Sequence, residues 1–157
     1  MNVYSWKKLV RSLDVCISSV VSGEFCDRCL WQLYAKFPFL CHHLAFLMSH
    51  KVFSCFGKYF CLHFEAFLLG TAPVYMAFLR FMGEADEASR FRNSLEVGGS
   101  GRRQVWQGVP RSIRDTHQSV RDSVDGLFVT RGLALFFSGG DRKELKLIVM
   151  GRIWKEH

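Results

Sequence analysis

Three groups of residues in this 157-residue chain are of types that could do chemistry. Cys26, Cys29 and Cys41, with one of His42, His43 or His50, offer thiolate and imidazole donors suited to tetrahedral zinc. A Cys-x-x-Cys turn puts two sulfurs on the same side of an ion, so Cys26 and Cys29 would begin such a site. The competing reading is unliganded Cys and His, and it is the one adopted, because short spacing matches of this kind also arise by chance. Cys61 and His63 stand two apart on an expected strand, which points both to one face. A Cys–His dyad also needs a third group to orient the base. No oxyanion-hole signature accompanies this pair, so it reads as sheet packing. Gly98-Gly99-Ser100-Gly101 lacks the Lys-Ser/Thr and the strand–loop–helix setting of a phosphate loop, and reads as a hairpin turn. No catalytic residue and no cofactor is expected.

The elements that must position these groups change character along the chain. Residues 6–21, 26–34 and 40–48 read as short amphipathic helices, with Pro38 separating the last two. From Phe53 the period becomes two. Over 59–68, Phe60, Leu62, Phe64, Ala66 and Leu68 share one face, the signature of a strand with one buried side. Residues 70–73 read as a turn, 74–82 as a second strand and 83–89 as a loop. Strands at 90–97 and 102–107 flank the glycine-rich hairpin. Ser112 can cap a short helix or irregular crossover, with Asp115 as an acidic partner near its start. Residues 126–130 read as a strand, 132–137 as strand or helical turn, and 144–154 as the closing strand. Many short strands with few helices point to an antiparallel sandwich.

Composition narrows the class. Apolar residues make up 49% and charged residues 22%, so the chain should fold, and fifteen Phe with four Trp can fill a substantial core. The net charge of +7 is dispersed, with Arg111, Arg114 and Arg121 interleaved among Asp115 and Asp122. That pattern reads as a solvated surface rather than a nucleic-acid groove. The apolar runs at 37–48 and 66–79 are interrupted and shorter than the roughly 20 residues of a membrane helix. Lys7, Lys8 and Arg11 precede too short an apolar run for a secretory signal, so free thiols and a cytoplasmic or nuclear setting are expected.

Several runs resemble a known family: SCFGKYFCLHFEAF at 54–67, APVYMAFLRFMG at 72–83 and SLEVGG at 94–99. PRSIRD at 110–115, ALFFSGGDRKELKL at 134–147 and GRIWKE at 151–156 complete the set. Together they resemble the C-terminal domain of the seven-in-absentia (SINA/Siah) ubiquitin ligases of plant type, over about two thirds of the chain. The resemblance implies a mainly β fold, a TRAF-like antiparallel β-sandwich that dimerises and binds substrate or adaptor proteins. Full-length members carry a RING, which recruits the ubiquitin-charged E2 enzyme, then two zinc fingers, then this sandwich.

The chain departs from that plan. A RING holds two zinc ions with eight ligands. The only Cys-x-x-Cys here is Cys26 to Cys29, too little for such a module. The set Cys26, Cys29, Cys41 and His43 also departs from the Cys–Cys and His–His gaps of the family's last zinc finger. The sandwich's first strands are not evident in residues 1–50, which read as a divergent, partly helical or disordered segment before a binding domain at 51–157. By the resemblance, Val52 and Ile148 occupy positions that touch the bound peptide in relatives, where the Ile148 position is polar. In animal relatives that peptide adds as a strand to one of the opening strands. The expected function is therefore protein recognition and dimerisation, with itself or with full-length family ligases, in ubiquitin-dependent degradation and without ligase activity of its own. The alternatives are a truncated product with no function, or a ligase subunit acting in trans beside a RING-bearing partner.

Overall fold

In a computed structural model of the protein, residues 16–17, 28–38, 46–139 and 144–156 are described. Strict alternation builds most of it. On β10 (Glu144–Lys155), Leu145, Leu147, Val149 and Ile153 are buried while Lys146, Ile148, Met150 and Arg152 are exposed. Successive side chains on a strand point to opposite faces, so this pattern fixes one side as core. The other strands are β1 (Cys16–Ile17), β2 (Arg28–Pro38), β3 (Phe46–Cys55), β4 (Lys58–Leu69) and β5 (Ala72–Phe81), then β6 (Phe91–Gly99), β7 (Arg102–Gly108), β8 (Arg111–Ser112) and β9 (Leu127–Thr130). Among the described residues three short helices interrupt them: α1 (Ala85–Ala88), α2 (His117–Asp122) and α3 (Arg131–Phe137).

The strands form two sheets. The first runs β1-β2-β10-β6-β7, and the second runs β3-β4-β5-β8, with β9 also pairing β5. All pairings are antiparallel except the short β5–β8 contact. The sheets meet through aromatic rings. Phe60 on β4 lies 5.4 Å from Phe81 on β5 and 5.3 Å from Phe91 on β6, both edge-on. Edge-to-face pairs of this kind add about 0.5–1.5 kcal/mol beyond their buried area. Leu62, Leu79, Leu95, Val97, Leu145, Leu147 and Val149 complete the core between the layers. The mainly β, antiparallel sandwich expected from the sequence is what forms.

Two hairpins close on residues in the left-handed region. Phe56 and Gly57 (φ 55° and 68°) join β3 to β4, and Ser100 and Gly101 (φ 52° and 80°) join β6 to β7. Two consecutive positive φ values match the right-handed twist of the flanking strands. Gly99 answers a different need: a Cβ there would meet the Phe137 carbonyl oxygen at 2.4 Å, so α3 packs on bare backbone.

Four expectations need correction. Residues 28–38 are a strand rather than a helix, and β2 pairs β10 at eleven consecutive positions. Residues 46–48, expected as the end of another helix, begin β3. The sandwich therefore draws strands from the first fifty residues. The crossover helix is capped by Thr116, whose Oγ accepts from the Ser119 amide at 3.1 Å, and not by Ser112. Ser112 sits in β8 and donates to the Gly83 carbonyl at 2.6 Å, while Asp115 pairs with Arg111. Finally, β4 is buried on both faces. Phe60, Leu62 and Phe64 enter the core, and the opposite face is covered by α2, where Val120 packs with Met76 and Phe78. The open choice at 132–137 is resolved as helix α3, with Ala134 and Phe137 buried.

Candidate protein-binding surface

The outer face of the first sheet carries an apolar stripe. Ile148 is 40% exposed and Met150 47% exposed on β10. Met150 stands opposite Glu96 of β6, which stands opposite Val105 of β7, also exposed. Glu96, between Met150 and Val105, interrupts the apolar residues with a carboxylate, and Arg103 lies 3.9 Å from it. Apolar side chains around a charged pair suit protein contact, since desolvating them costs little and the charges set orientation.

Val52 lies on β3, opposite Cys61 of β4, and its side chain is half exposed. Because Phe53 and Cys55 face the core, Val52 points outward from the second sheet. Ile148 points outward from the first sheet, so the two expected contact residues stand on opposite outer faces and do not share one patch. No described strand pairs with the outer edge of β3.

Behind Val52 lies a buried polar layer that sequence reasoning met only in part. Cys61 and His63 do share a face of β4, as their spacing dictates. Burial pushes the Cys61 thiol pKa up, against the nearby Arg80 cation. Burial, with help from His117, Arg80 and His50, pushes the His63 pKa down to about 3. The pair is thus a neutral thiol beside a neutral imidazole, the opposite of an activated thiolate. The His63 ring stacks flat on Phe78 at 4.8 Å and meets the edge of His117 at 4.8 Å. Glu65 is fully buried; its Oε1 is 2.6 Å from His117 Nδ1 and its Oε2 3.4 Å from Arg121 Nε. Arg80 donates through Nη2 to the Ile113 carbonyl at 2.6 Å and also to that of Asp115, pinning the segment before α2. Glu65 and His117 lie 52 residues apart, so no local spacing announces them.

The zinc candidates are mostly beyond view: Cys26, Cys41, His42 and His43 lie outside the described residues. Cys29 stands on β2 opposite Ile153 of β10. His50, on β3, stacks against His63 with ring centres 5.9 Å apart. Among the described residues no helix is long and apolar enough to cross a membrane.

With this geometry in place, comparison with known proteins is informative. The family described as Sina, TRAF-like domain matches residues 53–150. The E3 ubiquitin-protein ligase SINAT5 of Arabidopsis thaliana is 72% identical over 105 residues, 67% of this chain and 34% of SINAT5. The E3 ubiquitin-protein ligase DIS1 of Oryza sativa subsp. japonica is 73% identical over 105 residues, 67% of this chain and 35% of DIS1. A protein named probable inactive E3 ubiquitin-protein ligase SINAT6, from Arabidopsis thaliana, is 56% identical over 118 residues, 73% of this chain and 54% of its own length. The chain thus spans about a third of the length of SINAT5 and DIS1.

Proposed function

Since the chain belongs to the Sina TRAF-like domain family, we propose that it is a substrate- or adaptor-binding module that dimerises and acts in ubiquitin-dependent protein degradation without ligase activity of its own. The observation that carries this reading is the family match laid over an antiparallel sandwich with exposed apolar side chains on its outer sheet faces. The one Cys–His pair on its second sheet is neutral on both sides and so unsuited to covalent catalysis. The similarity to a relative named as probably inactive supports the same reading. Its partners would be protein substrates, a second copy, or full-length SINA ligases, whose targets it would either present or withhold. Val52 and Ile148 are the proposed contact positions, one on each outer face. The buried Cys61 thiol fits a reducing setting, in the cytoplasm or nucleus.

Reconstituted ubiquitination tests the inactive assignment. With E1, E2, ubiquitin and this chain alone, no conjugates should form; autoubiquitination under those conditions overturns it. The rival reading of a truncated product without function predicts an uncovered sheet. The pairing of β2 along β10 supports the folded alternative.

A further inference from the structure

His63 poses an unsolved accounting problem. Its side chain is 3% exposed, and neither ring nitrogen meets a hydrogen-bond partner among the described residues. Leaving a buried polar group in that state is costly, and native structures usually explain it by a partner. The stack on Phe78 satisfies the faces of the ring but not its nitrogens. Glu65 Oε2 is in a similar position, since the Arg121 contact at 3.4 Å lacks hydrogen-bond geometry.

These atoms converge. One nitrogen each from His63 and His117 and one carboxylate oxygen of Glu65 all lie within 4.8 Å of one another. We propose that His63, Glu65 and His117 form a binding site for a zinc-class divalent metal ion, held between β4 and α2. Two imidazoles and a carboxylate favour zinc over magnesium or calcium, which take oxygen donors. Tetrahedral ligands at about 2.0–2.2 Å from zinc stand roughly 3.3–3.6 Å apart, so donors as far apart as 4.8 Å close by about 1.2–1.5 Å, and the His117–Glu65 pair at 2.6 Å opens to admit the ion. The fixed members are well placed to allow this. His63 and Glu65 are two apart on β4 and point the same way, and His117 opens α2 above them. As the structure stands, His117 Nδ1–H donates to Glu65 Oε1 at 2.6 Å. The ion takes the place of that hydrogen, which moves to Nε2 or to solvent. His117 is the most accessible member, with 31% of its side chain exposed, which leaves a fourth position for water.

The opposing charges are Arg121 and Arg80. Arg121 has other anchors for when Glu65 turns away: its Nε reaches the His117 carbonyl at 3.5 Å, and its guanidinium lies 5.6 Å from the Phe67 ring. Arg80 donates to the carbonyls of Ile113 and Asp115 and stays in place. The ion would staple the covering helix to the sheet. This inference is independent of the sandwich's protein partners.

Zinc and cobalt titration of the untagged full chain tests it, read by calorimetry, thermal unfolding and X-ray absorption. One equivalent of metal should bind through nitrogen and oxygen donors with imidazole scattering, and should raise the unfolding temperature. His63→Phe keeps the flat stack on Phe78 but removes the donor, and should weaken binding about 100-fold or more. His117→Gln, at a half-exposed position that can still bond Glu65, should do the same and serves if His63→Phe fails to fold. Absence of binding, a sulfur-containing shell from the cysteines, or an affinity unchanged in both variants overturns the proposal.

Discussion

His63 gives the fold a pH response that can be worked out from its surroundings. Its pKa falls from an ordinary 6.5 to about 3 in the folded chain. Between those values the unfolded chain binds a proton that the folded chain does not, so stability drops as pH falls from about 6.5 towards 3. The slope approaches about 1.4 kcal/mol per pH unit in the middle of that window. Denaturant unfolding in the presence of chelator should show it, and His63→Phe should lose this component and gain on the native protein at pH 5. Parallel pH profiles for the two proteins would contradict the assignment. Glu65 and His117 make a second test. His117→Ala takes away the hydrogen-bond donor of a fully buried carboxylate that keeps only the looser Arg121 contact at 3.4 Å and the more distant Arg80 charge, and should cost about 3 kcal/mol at neutral pH. A loss below 1 kcal/mol in urea unfolding would mean that the pair carries little. None of this was legible in the sequence beyond the shared face of Cys61 and His63. His117 reaches Glu65 only because the segment from β8 to α2 folds back over β5, a tertiary event with no local signal.

At the scale of elements, the strands with clean alternation could be read before the structure was seen. β4, β10 and the β6–β7 hairpin sit where period two and glycine placed them. β2 was misread for a physical reason. Cys29, Trp31, Leu33, Ala35 and Phe37 alternate with Gln32, Tyr34 and Lys36, which is a strand pattern. Cys26, Leu30, Leu33 and Tyr34 also fall at helical spacing, and short apolar runs satisfy both periods. The pairing of β2 with β10 decides between them. Removing residues 1–38 should therefore leave β10 as a bare edge, and that variant should aggregate or associate on size-exclusion chromatography. A stable, discrete species with unchanged hydrogen-exchange protection in β10 would contradict the role given to β2. The cap of α2 was assigned to Ser112 because a Ser before an apolar run is a common start. The true cap, Thr116, should cost about 1 kcal/mol on replacement by Ala, measured by thermal or urea unfolding.

For the whole molecule, the resemblance carried more of the function than the local chemistry did. Runs spread from 54 to 156 pointed to the family, and the family match over 53–150 agrees. The placement of Val52 and Ile148 on opposite faces could not be read in advance, because it depends on which sheet each strand joins. A partner that contacts both must reach around the sandwich, or each face must serve a different partner. Ile148→Arg should leave stability within about 0.5 kcal/mol, as expected for an exposed position, while disrupting contact on that face. The most direct test of the protein-binding role is the binding isotherm of the full chain with a purified full-length relative such as SINAT5. The account predicts a saturable complex of fixed stoichiometry, weakened at least tenfold by Ile148→Arg or Val52→Arg. A folded chain that binds neither the relative, nor the relative's ubiquitination targets, nor a second copy of itself would contradict it.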